Sequence, residues 1–124
     1  MSNEEIEKKL AYYADYFEAM FWADIDNSDD IEGDYNLSDI DIVIIVGILK
    51  DLDSFFDKAS SILNETDYTH KQACHDFYFT RCEHGVGFWE ADHCNEEQGK
   101  KLTEIAESFG TVNIIESDGK LYID

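Results

Sequence analysis

HDFYFTRCEHGVGFWE, residues 75–90, is the stretch on which the fold turns. Read at period two, Phe77 and Phe79 face one side while Tyr78 and Thr80 face the other. Val86 and Phe88 alternate in the same way with Gly87 and Trp89. Gly85 and Gly87 supply turn or bulge potential between the two runs. The pattern predicts a β-hairpin, with strands over 77–81 and 86–90, aromatics in the core, and His75, Arg81 and His84 around the strand ends.

Downstream, Asn95 is placed to start a helix whose buried stripe is Leu102, Ile105, Ala106 and Phe109, with Gly110 ending it. A strand over 112–116, the tight-turn sequence SDGK and a return over 121–124 predict a second hairpin. Upstream, Thr69 suits the cap of a short helix over 69–75. Residues 39–63 keep helical spacing from Ile45 to Leu63 and predict one long helix with Gly47 tolerated inside it. A strand over 41–46 is the alternative, because DIDIVIIV has strand composition. Residues 4–22 predict an amphipathic helix, with Ile6, Leu10, Tyr13, Phe17, Met20 and Phe21 on one face. The expected fold is α+β: two N-terminal helices packed with a β-β-α-β-β antiparallel sheet, as a single domain over 1–124.

The 75–94 region also holds metal-ligand types. Cys82, His84, His93 and Cys94 are zinc ligands by chemistry, but Cys82-x-His84 is too tight and His93 and Cys94 are adjacent, so polar residues at a hairpin tip are the simpler reading. Cys74 or Cys82 beside a histidine would be a nucleophile–base pair, yet no surrounding motif supports it. The odd number of cysteines argues for free thiols in a reducing compartment rather than a disulfide framework. We expect no cofactor and no enzyme activity.

Charge narrows the function further. Twenty-nine acidic side chains face nine basic ones, a net charge of −20. Such a chain does not bind nucleic acid through phosphates, which requires Lys and Arg, and is instead drawn to basic surfaces. Between Lys9 and Lys50 there is no base, while acids crowd the loop over 23–37 and its flanks. The candidate partner-binding residues are Asp24, Asp26, Asp29, Asp30, Glu32, Asp34, Asp39 and Asp41. The same loop imitates a calcium-binding loop at its first, third, seventh and ninth positions, but Asp29 stands where the turn glycine belongs and Tyr35 where the bidentate Glu belongs. As an imitation of DNA the loop alone is sparse: about one charge per 6 Å against ~3.4 Å along one DNA strand, so flanking carboxylates must share its face. The longest apolar run, 42–49, is too short for a membrane span, and the acidic start has no signal-peptide core, so a cytoplasmic protein is expected.

YTHKQACHDFYFTRCEHGVGFWEAD, followed by GKKLTEIAESFGTVNIIESDGKLYI, resembles a family of small uncharacterised tailed-phage proteins. Their pattern runs H-D-F-W-x-T-R-N-x-H-G-x-G-F-W-D, then L-T, F-G and D-D-G-K-x-Y. His75, Arg81, His84 and Trp89 belong to that pattern and form the expected family-motif site. Tyr78, Cys82 and Glu90 depart from it, standing where the family has Trp, Asn and Asp. The resemblance implies a phage origin but no activity. Joined to the charge, it leads to a phage-encoded acidic binding protein acting in the host cytosol. It would block a nucleic-acid-binding defence protein, of anti-restriction or anti-CRISPR type, by DNA mimicry. Two alternatives stand beside it. One is a metal-binding protein or small enzyme using His75, Arg81 and His84. The other is a homo-oligomeric interaction module, a homodimer for instance, joined by an exposed patch of Tyr12, Tyr16 and Trp22.

Overall fold

The computed structural model describes residues 1–83 and 85–124. Its α-helices are α1 (Asn3–Tyr12), α2 (Ala14–Met20), α3 (Ile42–Leu63), α4 (His70–Cys82) and α5 (Glu96–Glu107). One antiparallel hairpin, β1 (Ile114–Ser117) and β2 (Lys120–Ile123), is the only sheet among the described residues.

The expected β-β-α-β-β sheet is therefore wrong, and residues 75–90 are where it fails. Residues 77–81 lie inside α4, and Phe88–Glu90 is a single 3-10 turn. The helix starts at a full capping box: the Gln72 N–H donates to Thr69 Oγ1 at 3.1 Å, and the Thr69 N–H to Gln72 Oε1 at 3.0 Å. Its buried residues are Ala73, Cys74, Phe77, Tyr78, Thr80 and Arg81, a helical stripe rather than an alternation. Glu83 stops it in the left-handed conformation, φ 55°. His84, the expected turn residue, lies outside the described residues.

The N-terminal helix also departs from expectation. It breaks at Tyr13 (φ −104°, ψ 19°), whose hydroxyl donates to Asp53 Oδ1 at 2.6 Å. The chain resumes as α2 and ends in a π-helical turn, Phe21–Asp26. The ambiguity over 41–46 resolves to helix. Asp41 is the cap of α3, taking the Val43 N–H at 2.8 Å, and Ile40 just before it forms a parallel bridge with Leu121. The C-terminal hairpin turns on Asp118 and Gly119, both at positive φ (53° and 77°), as a type I′ turn requires.

Aromatic rings hold the layers together. Phe55 of α3 stacks on Phe77 of α4 with centroids 4.1 Å apart, and on Phe88 at 5.6 Å. Helix α5 closes this core with Leu102 and Ala106, approaching so tightly that a Cβ on Gly99 would meet the Phe88 carbonyl oxygen at 2.6 Å. Tyr16 is 1% exposed, so the proposed aromatic patch does not exist as drawn; Tyr12 (60%) and Trp22 (64%) alone remain outside. None of the described helices is long and apolar enough to cross a membrane.

Candidate functional site

His75, Arg81 and Trp89, the described residues of the family motif, engage different partners. Arg81 faces inward from the last turn of α4, and its guanidinium is consumed by the fold. Nε donates to the Gly110 carbonyl at 3.1 Å, Nη2 to the Phe109 carbonyl at 3.2 Å, and Nη1 to the Tyr16 hydroxyl at 3.1 Å. Asp51 of α3 lies 3.5 Å from Nη2, and the guanidinium packs over the Phe77 ring. Arg81 thus ties the chain just past α5 to α2, α3 and α4; it is a structural clamp. Trp89 is exposed and lies over Gly87, where a Cβ would meet both its ring and Thr80 Oγ1 at 2.5 Å. Thr80 Oγ1 in turn accepts the Phe88 N–H at 3.1 Å. His75 points toward α2, with Nε2 3.8 Å from Glu18 Oε1.

Among the described residues, the surroundings of the thiols disfavour the thiolate. Cys74 Sγ is 3.6 Å from His70 Nε2, a pairing that i, i+4 spacing on α4 produces. But that nitrogen also lies 2.6 Å from the Tyr12 carbonyl oxygen. A carbonyl only accepts, so Nε2 carries the proton and cannot act as a base toward the thiol. Burial, with Asp15 nearby, pushes the Cys74 thiol up to about 12. Burial likewise pushes Cys82 up to about 11. Cys94 is also raised, first by burial and then by Asp76 and Asp92. Of the zinc candidates, Cys82 sits apart, beside Tyr78 and Asp24, while His93 and Cys94 share the surroundings of Tyr68 and Asp76.

The acidic loop is built more firmly than its composition implies. Glu116 of β1 anchors it, accepting the Glu32 N–H at 3.1 Å, the Gly33 N–H at 2.9 Å and the Tyr35 hydroxyl. These donors hold the Glu116 carboxyl below its ordinary range, the Tyr35 bond foremost, and the same bond pushes Tyr35 up to about 12. Three of the eight candidate acids have internal duties. Asp24 accepts from the Tyr78 hydroxyl, Asp39 takes the Asn36 N–H, and Asp41 caps α3. Lys120 also lines a hollow of about 480 Å³ beside Asp39 and Asp41. Asp26, Asp29, Asp30, Glu32 and Asp34 present exposed side chains. Among the described residues, the calcium-like positions do not bring three carboxylates into mutual reach, and Asp24 and Tyr35 are engaged by Tyr78 and Glu116 respectively.

Beside the loop, Leu10, Ala14, Phe17, Phe21, Tyr35 and Leu37 line an open apolar groove of about 490 Å³, with Glu18 on its wall. Among the described residues, the one set of three metal-ligating side chains in mutual reach is Asp15, Glu18 and His75, with ligand atoms within 4.8 Å of one another. Asp15 and Glu18 were missed by reading along the chain. Their i, i+3 spacing on α2 was visible, but the histidine that completes the set comes from α4. No protein-family model, curated protein or solved structure matches this chain.

Proposed function

We propose that this chain is a non-enzymatic, acidic binding protein whose loop over 26–34 engages a basic face of a nucleic-acid-binding protein. In its concrete form the partner is a host defence nuclease of restriction or CRISPR type, and the carboxylates stand in for DNA phosphates. The phage-type resemblance of the C-terminal half supplies the biological setting. The single observation that carries the reading is the anchored, exposed carboxylate run. Glu116 fixes the loop backbone while Asp26, Asp29, Asp30, Glu32 and Asp34 remain outside. A loop already held in shape loses little conformational entropy when a partner docks.

Four of the chain's nine cations are engaged away from the loop: Lys8 pairs with Glu4, Lys9 with Asp53, Lys101 with Glu97, and Arg81 is internal. The adjoining apolar groove provides the dry contact that a protein partner, unlike a nucleic acid, can use. The test is a binding panel of restriction and CRISPR-type nucleases in competition with their DNA, titrated with salt. Affinity falls steeply with ionic strength if charge carries recognition. A salt-independent complex, or one indifferent to replacing the five exposed acids by Asn and Gln, overturns the mechanism.

A further inference from the structure

We infer that Asp15, Glu18 and His75 form a binding site for a divalent transition-metal ion, with Zn²⁺ as the best-fitting example. The site does not rest on the acidic loop's function, although Glu18 also lines the groove beside that loop. Asp15 and Glu18 project from α2 and His75 from α4, two helices packed against each other. Two observations point to a cation. First, the three ligand atoms lie within 4.8 Å of one another, and His75 Nε2 is 3.8 Å from Glu18 Oε1. Tetrahedral zinc with bonds near 2.1 Å places its ligands about 3.4 Å apart, so a shift of roughly 1 Å completes the geometry. Glu18, with a side chain 64% exposed, has the freedom to make it.

Second, His75 Nε2 is buried and has no hydrogen-bond partner among the described residues. The 3.8 Å approach of Glu18 is too long for one. A buried ring nitrogen without a partner is a costly arrangement, and a metal bond satisfies it. A dication also offsets the repulsion between two carboxylates three residues apart on one helix.

The donor set selects the metal class. One imidazole with two carboxylates suits Zn²⁺ or Mn²⁺, whereas Mg²⁺ and Ca²⁺ prefer oxygen ligands alone. Three protein ligands leave one zinc position for water on the exposed Glu18 side.

The experiment is calorimetric titration of the full chain with Zn²⁺ in excess Mg²⁺, the Mg²⁺ suppressing diffuse binding to so acidic a protein. One equivalent of Zn²⁺ binds to the native chain. His75→Ala and Glu18→Gln each weaken binding by at least about tenfold, the loss that even supporting groups around a metal site cause. In parallel, Mn²⁺ broadens the NMR signals of the His75 ring before those of His70 and His93. Unchanged Zn²⁺ affinity in the variants, or broadening spread evenly over the histidines, overturns the site. Should His75→Ala fail to fold, Glu18→Gln, altered at an exposed side chain, decides the matter alone.

Discussion

Helix α4 and the 26–34 loop use their polar groups in opposite ways. In the last turn of α4 two polar side chains turn inward: Arg81 and Thr80 are buried, and each satisfies backbone partners on another segment. In the loop the backbone is held from outside by Glu116, and the loop's own carboxylates are left to solvent. Both stretches are polar in sequence. What separates them is whether a residue's partners come from within the chain. A motif full of His, Arg and Trp need not be a reactive site, and a featureless acidic run can be a built surface.

The largest expected effect breaks the α4 side of this contrast. Arg81→Ala strands the Phe109 and Gly110 carbonyls, the Tyr16 hydroxyl and Asp51, and is expected to cost about 3–5 kcal/mol in chemical denaturation. Arg81→Lys keeps the charge, but an ammonium lacks the planar fork that reaches these acceptors together, so it recovers only part of the loss. Next comes Gly87→Ala. Its Cβ would lie 2.5 Å from Thr80 Oγ1 and from the Trp89 ring, so both side chains must give way. A loss of about 1–3 kcal/mol is expected, with a change in Trp89 fluorescence marking the displaced ring. If Arg81→Ala were near neutral, the inward role assigned to α4's polar groups would be mistaken.

These same residues explain what could be read in the sequence and what could not. Local chemistry was legible. Of the expected α5 stripe, Ile105 is half-buried and Phe109 lies past the helix end, while the Asn95 cap, Leu102 and Ala106 stand where spacing placed them. So do the Asp-Gly turn of the C-terminal hairpin and the buried face of α3. Helix α4 was not, because Phe77 and Phe79 alternate with Tyr78 and Thr80 by coincidence, and aromatics favour strands. The stripe that settles the matter includes Arg81, which looks like a surface residue until Tyr16, Asp51, Phe109 and Gly110 arrive from distant segments. A capping box from Thr69 to Gln72 was present, and following its helix past residue 75 would have found the stripe. The candidate sites divide in the same way. The acidic loop is contiguous and therefore legible, but its anchor, Glu116, is more than eighty residues away. The Asp15, Glu18 and His75 set exists only once α2 packs on α4.

The loop side of the contrast is sharpened by acid. Glu116 is held below its ordinary range in the fold, so its contribution is fully present above the unfolded value near pH ~4.3 and is lost as pH falls through the folded value. Tyr35, raised to about 12, gives up its share only as pH climbs above ~10. Hydrogen exchange at the Glu32 and Gly33 amides should accordingly speed up, relative to α3, as acid protonates Glu116. Glu116→Gln should show the faster exchange already at neutral pH. Amides that stay protected in that variant would mean the loop is held by something other than Glu116.

The smallest effect on stability is also the most telling. Replacing Asp26, Asp29, Asp30, Glu32 and Asp34 by Asn and Gln removes charge from exposed residues whose carboxylates hydrogen-bond to none of the described residues. Each exchange should stay within about ±0.5 kcal/mol, and relief of self-repulsion pushes the sum toward stabilisation. Urea midpoints measured at low and high salt check this, since the gap between native chain and variant should narrow as salt screens the native repulsion. A stabilised variant would support the partner role proposed for these five acids. If the variant proved markedly less stable at both salt concentrations, the loop's carboxylates would be structural after all, and the contrast with α4 would collapse.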